Sequence, residues 1–196
     1  MAVNLDSIGE LPPEEFNFHW KSGRVCLDFV ATVGERWRRC FERLRSPQDL
    51  ARWIAESGLL AEVPTVTSRE LAAARVLREA INRLTRPGAE PLPGDRDELN
   101  RWAARPSLAP QLTAEGGRTL VGERPVEAVL ATIARDAVDL LTGPLAGRIR
   151  ECAAHDCALL FVDASRPGRR RWCASEACGN RTRTKAYRQR RKEPDA

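Results

Sequence analysis

The sequence predicts an α+β fold that is mainly α, and three observations carry that expectation. Apolar residues recur at helical spacing through most of the first 147 residues, one pair of strand-like segments flanks a glycine turn, and four cysteines in two C-x4-C pairs precede an arginine-rich C-terminal helix. The expected architecture is a helical N-terminal domain with a small β-hairpin, followed by a small ββα-like module ending in that basic helix.

Residues 1–15 hold Gly9, Pro12, Pro13 and three glutamates, and read as a flexible leader before a domain at 16–147. The run Val25-Cys26-Leu27-Asp28-Phe29-Val30-Ala31-Thr32-Val33 is nearly all apolar and is expected to be helical, continuing through Glu35–Arg45 and stopping near Pro47. Ser46 before Pro47 is an N-cap signal, opening a second helix that Gly58 closes. Thr67 or Ser68 caps a third, with Leu71, Ala74, Leu77, Ile81 and Leu84 on one stripe and an end before Pro87-Gly88. A fourth helix is expected at Arg96–Ala104. Strands are expected at Gln111–Ala114 and Arg118–Val121 around Glu115-Gly116-Gly117. Pro125 opens a fifth helix that Gly143-Pro144 ends.

Length and charge narrow the function. The 196 residues are 42% hydrophobic and 30% charged, which fits a globular chain. No apolar run approaches the roughly 20 residues that a membrane span needs, and the N-terminus lacks a basic segment followed by an apolar one, so a cytoplasmic protein with no membrane partner is expected. The helical body shows no phosphate loop and no repeat. Two histidines in the whole chain, His19 and His155, leave little material for acid–base catalysis. The net charge of +5 is unevenly placed: the first 147 residues hold 19 basic against 21 acidic groups, whereas from Arg148 onward there are 13 basic and 6 acidic. Between Arg169 and Lys192 only Glu176 offsets ten cations, a field suited to a polyanion.

Cys152, Cys157, Cys173 and Cys178 form C-x4-C, fifteen residues, then C-x4-C. Two short chelating turns joined by a loop suit tetrahedral Zn2+ held by four thiolates. Disulfides are disfavoured in a reducing compartment, and buried free thiols fit poorly with the basic surroundings. His155 could replace a cysteine, although four thiolates already close the site. A closed site leaves no position for substrate, so the zinc should be structural. Leu159, Leu160 and Phe161 on an expected strand at 158–162 are available to cover it. Cys26 and Cys40 lack pairing and read as small apolar residues in packed helices. Metal binding is worth on the order of 10 kcal/mol to such a small module, so chelation should unfold 148–192 and spare the body. The arginines beside Cys173 also make the thiolates candidates for oxidation.

Ser175 is the expected N-cap of the last helix, with Asn180 as the later alternative. Arg181, Lys185, Arg188 and Lys192 then share a stripe, Arg183, Arg190 and Arg191 widen it, and residues 193–196 form a tail. Contacts to DNA are expected from Arg181, Arg183, Lys185, Arg188 and Arg191, with Asn180 orienting the metal turn and Arg169, Arg170 and Arg171 reaching backbone phosphates.

The motifs Leu160-Phe161-Val162-Asp163, Arg171-Trp172-Cys173 and Cys178-Gly179-Asn180-Arg181 resemble the bacterial CGNR zinc finger. Upstream, Gly23-Arg24-Val25-Cys26-Leu27-Asp28-Phe29-Val30-Ala31-Thr32 and Val76-Leu77-Arg78-Glu79-Ala80-Ile81 resemble the ABATE domain of stress-induced transcription regulators. The resemblance implies a zinc-dependent DNA-binding module at 148–192 on a regulatory domain, with the four clustered cysteines matching the family's metal ligands. The expected function is a transcription regulator that binds double-stranded DNA at the nucleoid. Its N-terminal domain would sense a small-molecule inducer or form a homodimer. Two rivals are an RNA-binding protein using the same helix and an enzyme centred on Asp28, an acid more simply explained by a buried pair with an arginine.

Overall fold

The computed structural model describes residues 11–192; the first ten residues of the leader and the tail at 193–196 lie outside them. Of the leader, Pro13–Phe16 forms a 3-10 turn that is tied to the body: the Glu15 carbonyl accepts from Arg43 Nε at 2.8 Å, and the Phe16 ring meets Phe41 edge-on. The chain is 46% helical with small β-hairpins, the mainly α, α+β class that the pattern implied.

The first helix, α1, covers only Val25–Val30. It does not run on to Arg45 as expected; strands β1 (Val33–Gly34) and β2 (Phe41–Glu42) pair there as an antiparallel hairpin. Two features break the helix. Glu35 and Cys40 adopt left-handed backbone (φ 39° and 46°), and the Phe41 ring lies so close to Gly34 that a Cβ there would sit 2.3 Å from it. Cys40 therefore lies in a hairpin loop rather than a helix, while Cys26 is fully buried.

The capped helices follow the sequence closely. Helix α2 (Pro47–Glu56) starts with a reciprocal box in which Asp49 N donates to Ser46 Oγ and Ser46 N to Asp49 Oδ2. Thr67 and Glu70 do the same for α3 (Ser68–Thr85). Helix α4 is Asp95–Ala103, and α5, opened by Pro125, is Pro125–Thr142. Between them β3 (Ala109–Leu112) pairs with β4 (Arg118–Val121); β3 begins two residues earlier than expected because Ala109 and Pro110 pair with Val121 and Leu120. Helix α3 is the hub, packing against α1, α2, α4 and α5 around Leu27, Phe29, Trp53, Leu77, Ile81, Leu130 and Ile133.

A buried ionic network locks the β1–β2 hairpin to α3. Arg78 donates twice to the Glu42 carboxylate at 2.7 Å and once to Thr32 Oγ1 at 3.0 Å, and the Arg78 and Glu42 side chains are only 2% and 3% exposed. Arg36 forks onto Glu79 at 2.8 and 3.1 Å. Asp28 is not paired with an arginine: its Oδ1 accepts from the Ser22 hydroxyl and amide at 2.7 and 3.1 Å, because Arg24 turns instead to Asp136.

Arg78→Met leaves the buried Glu42 carboxylate with only the Leu44 amide and the more distant Arg75, and is expected to cost about 3 kcal/mol in chemical denaturation. Burial opposes the ionised form of Glu79, but Arg36 and Arg78 hold its carboxyl down to about 2, below the ordinary 4.5. This contribution is present above pH 4.5 and lost as pH falls from 4.5 toward 2, and Glu79→Gln should flatten stability against pH in that window.

Candidate metal centre

Strand β5 (Ile149–Glu151) follows a 3-10 turn at Ala146–Arg148 and pairs antiparallel with β6 (Leu160–Val162). The β6 alternation divides its side chains. Leu160 and Val162 join Ile149 in the helical core, whereas Phe161 and the preceding Leu159 pack with Ala31 against the cysteines. Leu160 thus does not cover the metal site. Val162 N also donates to Ser22 O at 2.8 Å, so this hairpin is built into the body.

The first chelating turn leaves the end of β5. Cys152 N donates to Leu159 O at 3.0 Å and Cys157 N to Ala154 O at 3.0 Å. The second turn is fastened to it by Ala153 N donating to Arg171 O at 2.8 Å. After Cys173 the chain forms a π-helical turn, Ser175–Gly179, closed by Gly179 N on Ala174 O at 3.1 Å, and continues as α6 (Asn180–Lys192). Ser175 is not the N-cap: Ala174 holds that position with no side-chain cap, because the wide turn starts one residue earlier. That turn brings Cys178 Sγ to 3.6 Å from Cys173 Sγ, while Cys157 Sγ lies 3.9 Å away.

All four sulfurs lie within 4.8 Å of one another. A tetrahedron with metal–sulfur bonds of about 2.3 Å has edges of about 3.8 Å, so these spacings fit zinc. The electrostatics also ask for a cation. Four such sulfurs cannot all ionise unless positive charge sits among them. The four cysteines are positioned to bind a structural zinc. His155 takes no part, its Nε2 lying 3.1 Å from Lys185 Nζ.

The surrounding arginines divide into inward and outward groups. Arg181 forks onto Asp156 (Nε to Oδ2 2.8 Å, Nη2 to Oδ1 3.0 Å) and donates to Cys178 Sγ at 3.3 Å, fastening α6 to the first chelating turn. Burial opposes the Asp156 charge, but Arg181 holds its carboxyl below the ordinary range. Arg170 lies over the Phe161 ring and donates to the carbonyls of Trp172 and Cys173. Buried Asp163 accepts from the amides of Ser165 and Arg170 at 3.0 and 2.9 Å, shaping the loop between the paired cysteines. Arg183 donates to Asn180 Oδ1 and faces the Trp172 ring; a Cβ on Gly179 would lie 3.3 Å from both Trp172 and Arg183. Arg169, Arg171, Asn180, Lys185 and Arg188 are exposed, and the side chain of Arg191 lies outside the described residues. Sequence reasoning gave no role to Asp156 or Asp163. Their signal was an acid inside or just after an otherwise apolar or cysteine-bearing turn, and its meaning depends on arginines distant in sequence.

Comparison with known families agrees with this geometry. The ABATE family profile, described as "Putative stress-induced transcription regulator", matches residues 23–144. The chain belongs to the ABATE family. The CGNR zinc finger profile matches residues 148–191 of the same chain, so this ABATE protein carries a CGNR zinc finger after its helical body. Both are regulatory or zinc-finger families rather than enzyme families. Comparison with curated proteins gives no match. Among the described residues of this ABATE chain, no helix is long and apolar enough to cross a membrane.

Because Ile149, Leu160 and Val162 belong to the helical core, chelation should release the cysteine turns and α6 but leave β5 and β6 in place. Hydrogen exchange should lose protection at 173–192 and keep it at Ile149 and Val162. Arg181→Ala should weaken zinc binding by about 10–100-fold, read by competition with a chromophoric chelator.

Proposed function

We propose that this ABATE protein is a transcription regulator that binds double-stranded DNA through α6 and the arginine loop preceding Cys173. The observation that carries this reading is a strongly cationic helix fastened at its base to a metal-binding cluster. Arg171 and Arg183 both lie against Trp172, with guanidinium carbons 5.2 and 5.4 Å from its ring centroid, which joins loop and helix into one positive surface. An isolated basic helix would repel itself and fray; one held by Asp156, Trp172 and Cys178 is presented in a fixed direction. A helix of this kind fits the major groove of B-form DNA, and arginine suits both phosphate oxygens and guanine edges.

In this reading Lys185, Arg188 and Arg191 meet the nucleic acid directly, with Arg169 and Arg171 on flanking phosphates and Arg183 shared between DNA and Trp172. Arg170 and Arg181 act through the fold, the first by shaping the second chelating turn and the second by orienting α6. Asn180 positions Arg183. Residues 16–147 carry the regulatory input, as an inducer site or a dimerisation surface, and 148–192 carry the contact. The protein would act at the nucleoid, in the cytoplasm.

The test is fluorescence anisotropy with duplex DNA across a salt series. If about five phosphates are contacted, log K against log salt should have a slope near −4.5, and Arg171→Ala or Arg188→Ala should each reduce its magnitude by about 0.9. Arg118→Ala on β4 should change neither. Equal affinity for structured RNA and duplex DNA, with no sequence preference, would overturn the reading.

A further inference from the structure

We propose that Cys157 is a site of reversible oxidation by hydrogen peroxide, reached through a cavity between the helical body and the cysteine cluster. The cavity has a volume of about 240 Å³; Cys157, Cys173 and Cys178 line one wall, and the β1–β2 region lines the other. Cys152 is absent from its lining. Cys157 alone among the four is partly exposed, the other three being 4–5% exposed. The cavity holds several water-sized molecules, each needing about 30 Å³, so peroxide enters with room to turn, whereas an aryl hydroperoxide several times its size is crowded there.

The charges along the cavity favour the reaction. Lys21, Arg43 and Arg181 line it together with Glu15, Glu35 and Asp156; the two glutamates are held by Arg39 and Asp156 by Arg181, whereas Arg43, 3% exposed, donates to the carbonyls of Glu15 and Ala31. Its guanidinium thus brings a positive charge to the cavity that Cys157 lines without a carboxylate of its own to neutralise it. Positive charge there stabilises both a thiolate and a departing hydroxide. Cys173, next to the arginines in sequence, is buried, and Arg170 faces the backbone carbonyls of Trp172 and Cys173 rather than its sulfur. Cys173 instead serves as the second sulfur, 3.9 Å from Cys157.

The chemistry balances in two steps. The Cys157 sulfur attacks one peroxide oxygen; an S–O bond forms, the O–O bond breaks, the sulfur loses two electrons, and hydroxide leaves and takes a proton to become water. The Cys173 thiolate then attacks Cys157 Sγ; an S–S bond forms, the S–O bond breaks, and a second water leaves after protonation. Two thiolates, one peroxide and two protons give one disulfide and two waters. Only two of four ligands then remain, which is too few to hold a structural zinc. Release of DNA would follow, a consequence that rests on the function proposed above.

The experiment treats the zinc-loaded full chain with limiting peroxide, traps sulfenic acid with dimedone, maps disulfides by mass spectrometry and follows zinc release with a chromophoric chelator. The expected result is dimedone first on Cys157, then a Cys157–Cys173 disulfide whose growth matches zinc release. Partly exposed Cys40, which has no second sulfur beside it, should react later. Val33→Phe, which narrows the cavity from the β1 side, should keep zinc and slow oxidation several-fold. Independently, cumene hydroperoxide should be disfavoured relative to hydrogen peroxide more strongly at Cys157 than at Cys40. First modification at Cys152 or Cys40, or no discrimination between the two oxidants, would overturn the proposal. A mapped disulfide and zinc loss with duplex still bound would count against the DNA reading and leave the Cys157 assignment standing.

Discussion

Strand β6 is buried on both faces, and the union of metal centre and helical body depends on that. Leu160 and Val162 complete the helical core beside α1, while Phe161 between them closes the cysteine cluster. A three-residue strand cannot satisfy both sides unless its register is fixed, and pairing with β5 together with the Val162–Ser22 bond fixes it. The strand is held by the body whether or not the sulfurs are clamped, so it anchors the metal centre from one side only. The helical body in turn sets the floor on which the chelating turns form.

Buried charge does two different jobs in the molecule. At the β1–β2 hairpin, Arg78 and Arg36 answer Glu42 and Glu79 directly, and the network defines a loop that packing alone would leave loose. Near the metal centre the positive groups outnumber carboxylates because a tetrathiolate around a divalent ion retains negative charge. Arg181 meets that charge at Cys178, with Arg43 nearby. The cations at the base of α6 are thus partly internal to the fold, and only the outward ones are available to a polyanion.

Much of this was legible in the sequence where the signal is local. The caps at Ser46 and Thr67, the stripe of α3, the start of α5 and the paired cysteines all follow from residues within a turn or two of one another. The expected long first helix failed because residues 33–42 fold into a hairpin in which the Phe41 ring lies against Gly34, a contact that exists only once the hairpin forms. Strand β5 carries no pattern of its own in three residues and is defined by its partner. The Ser22 link to Asp28 and the Arg181 fork onto Asp156 were likewise invisible, since each was one of several acids and cations that could have paired.

The π-helical turn at Ser175–Gly179 has a geometric effect on everything that follows it. A turn closed i→i+5 takes in more residues per revolution than an α turn, so later side chains lag a regular helix from the same start by up to about 100°, one residue's rotation. Lys185 and Arg188 therefore point elsewhere, relative to the sulfurs, than a regular helix from the same start would aim them. The winding of five residues that serve the metal also sets the compass bearing of the helix beyond them.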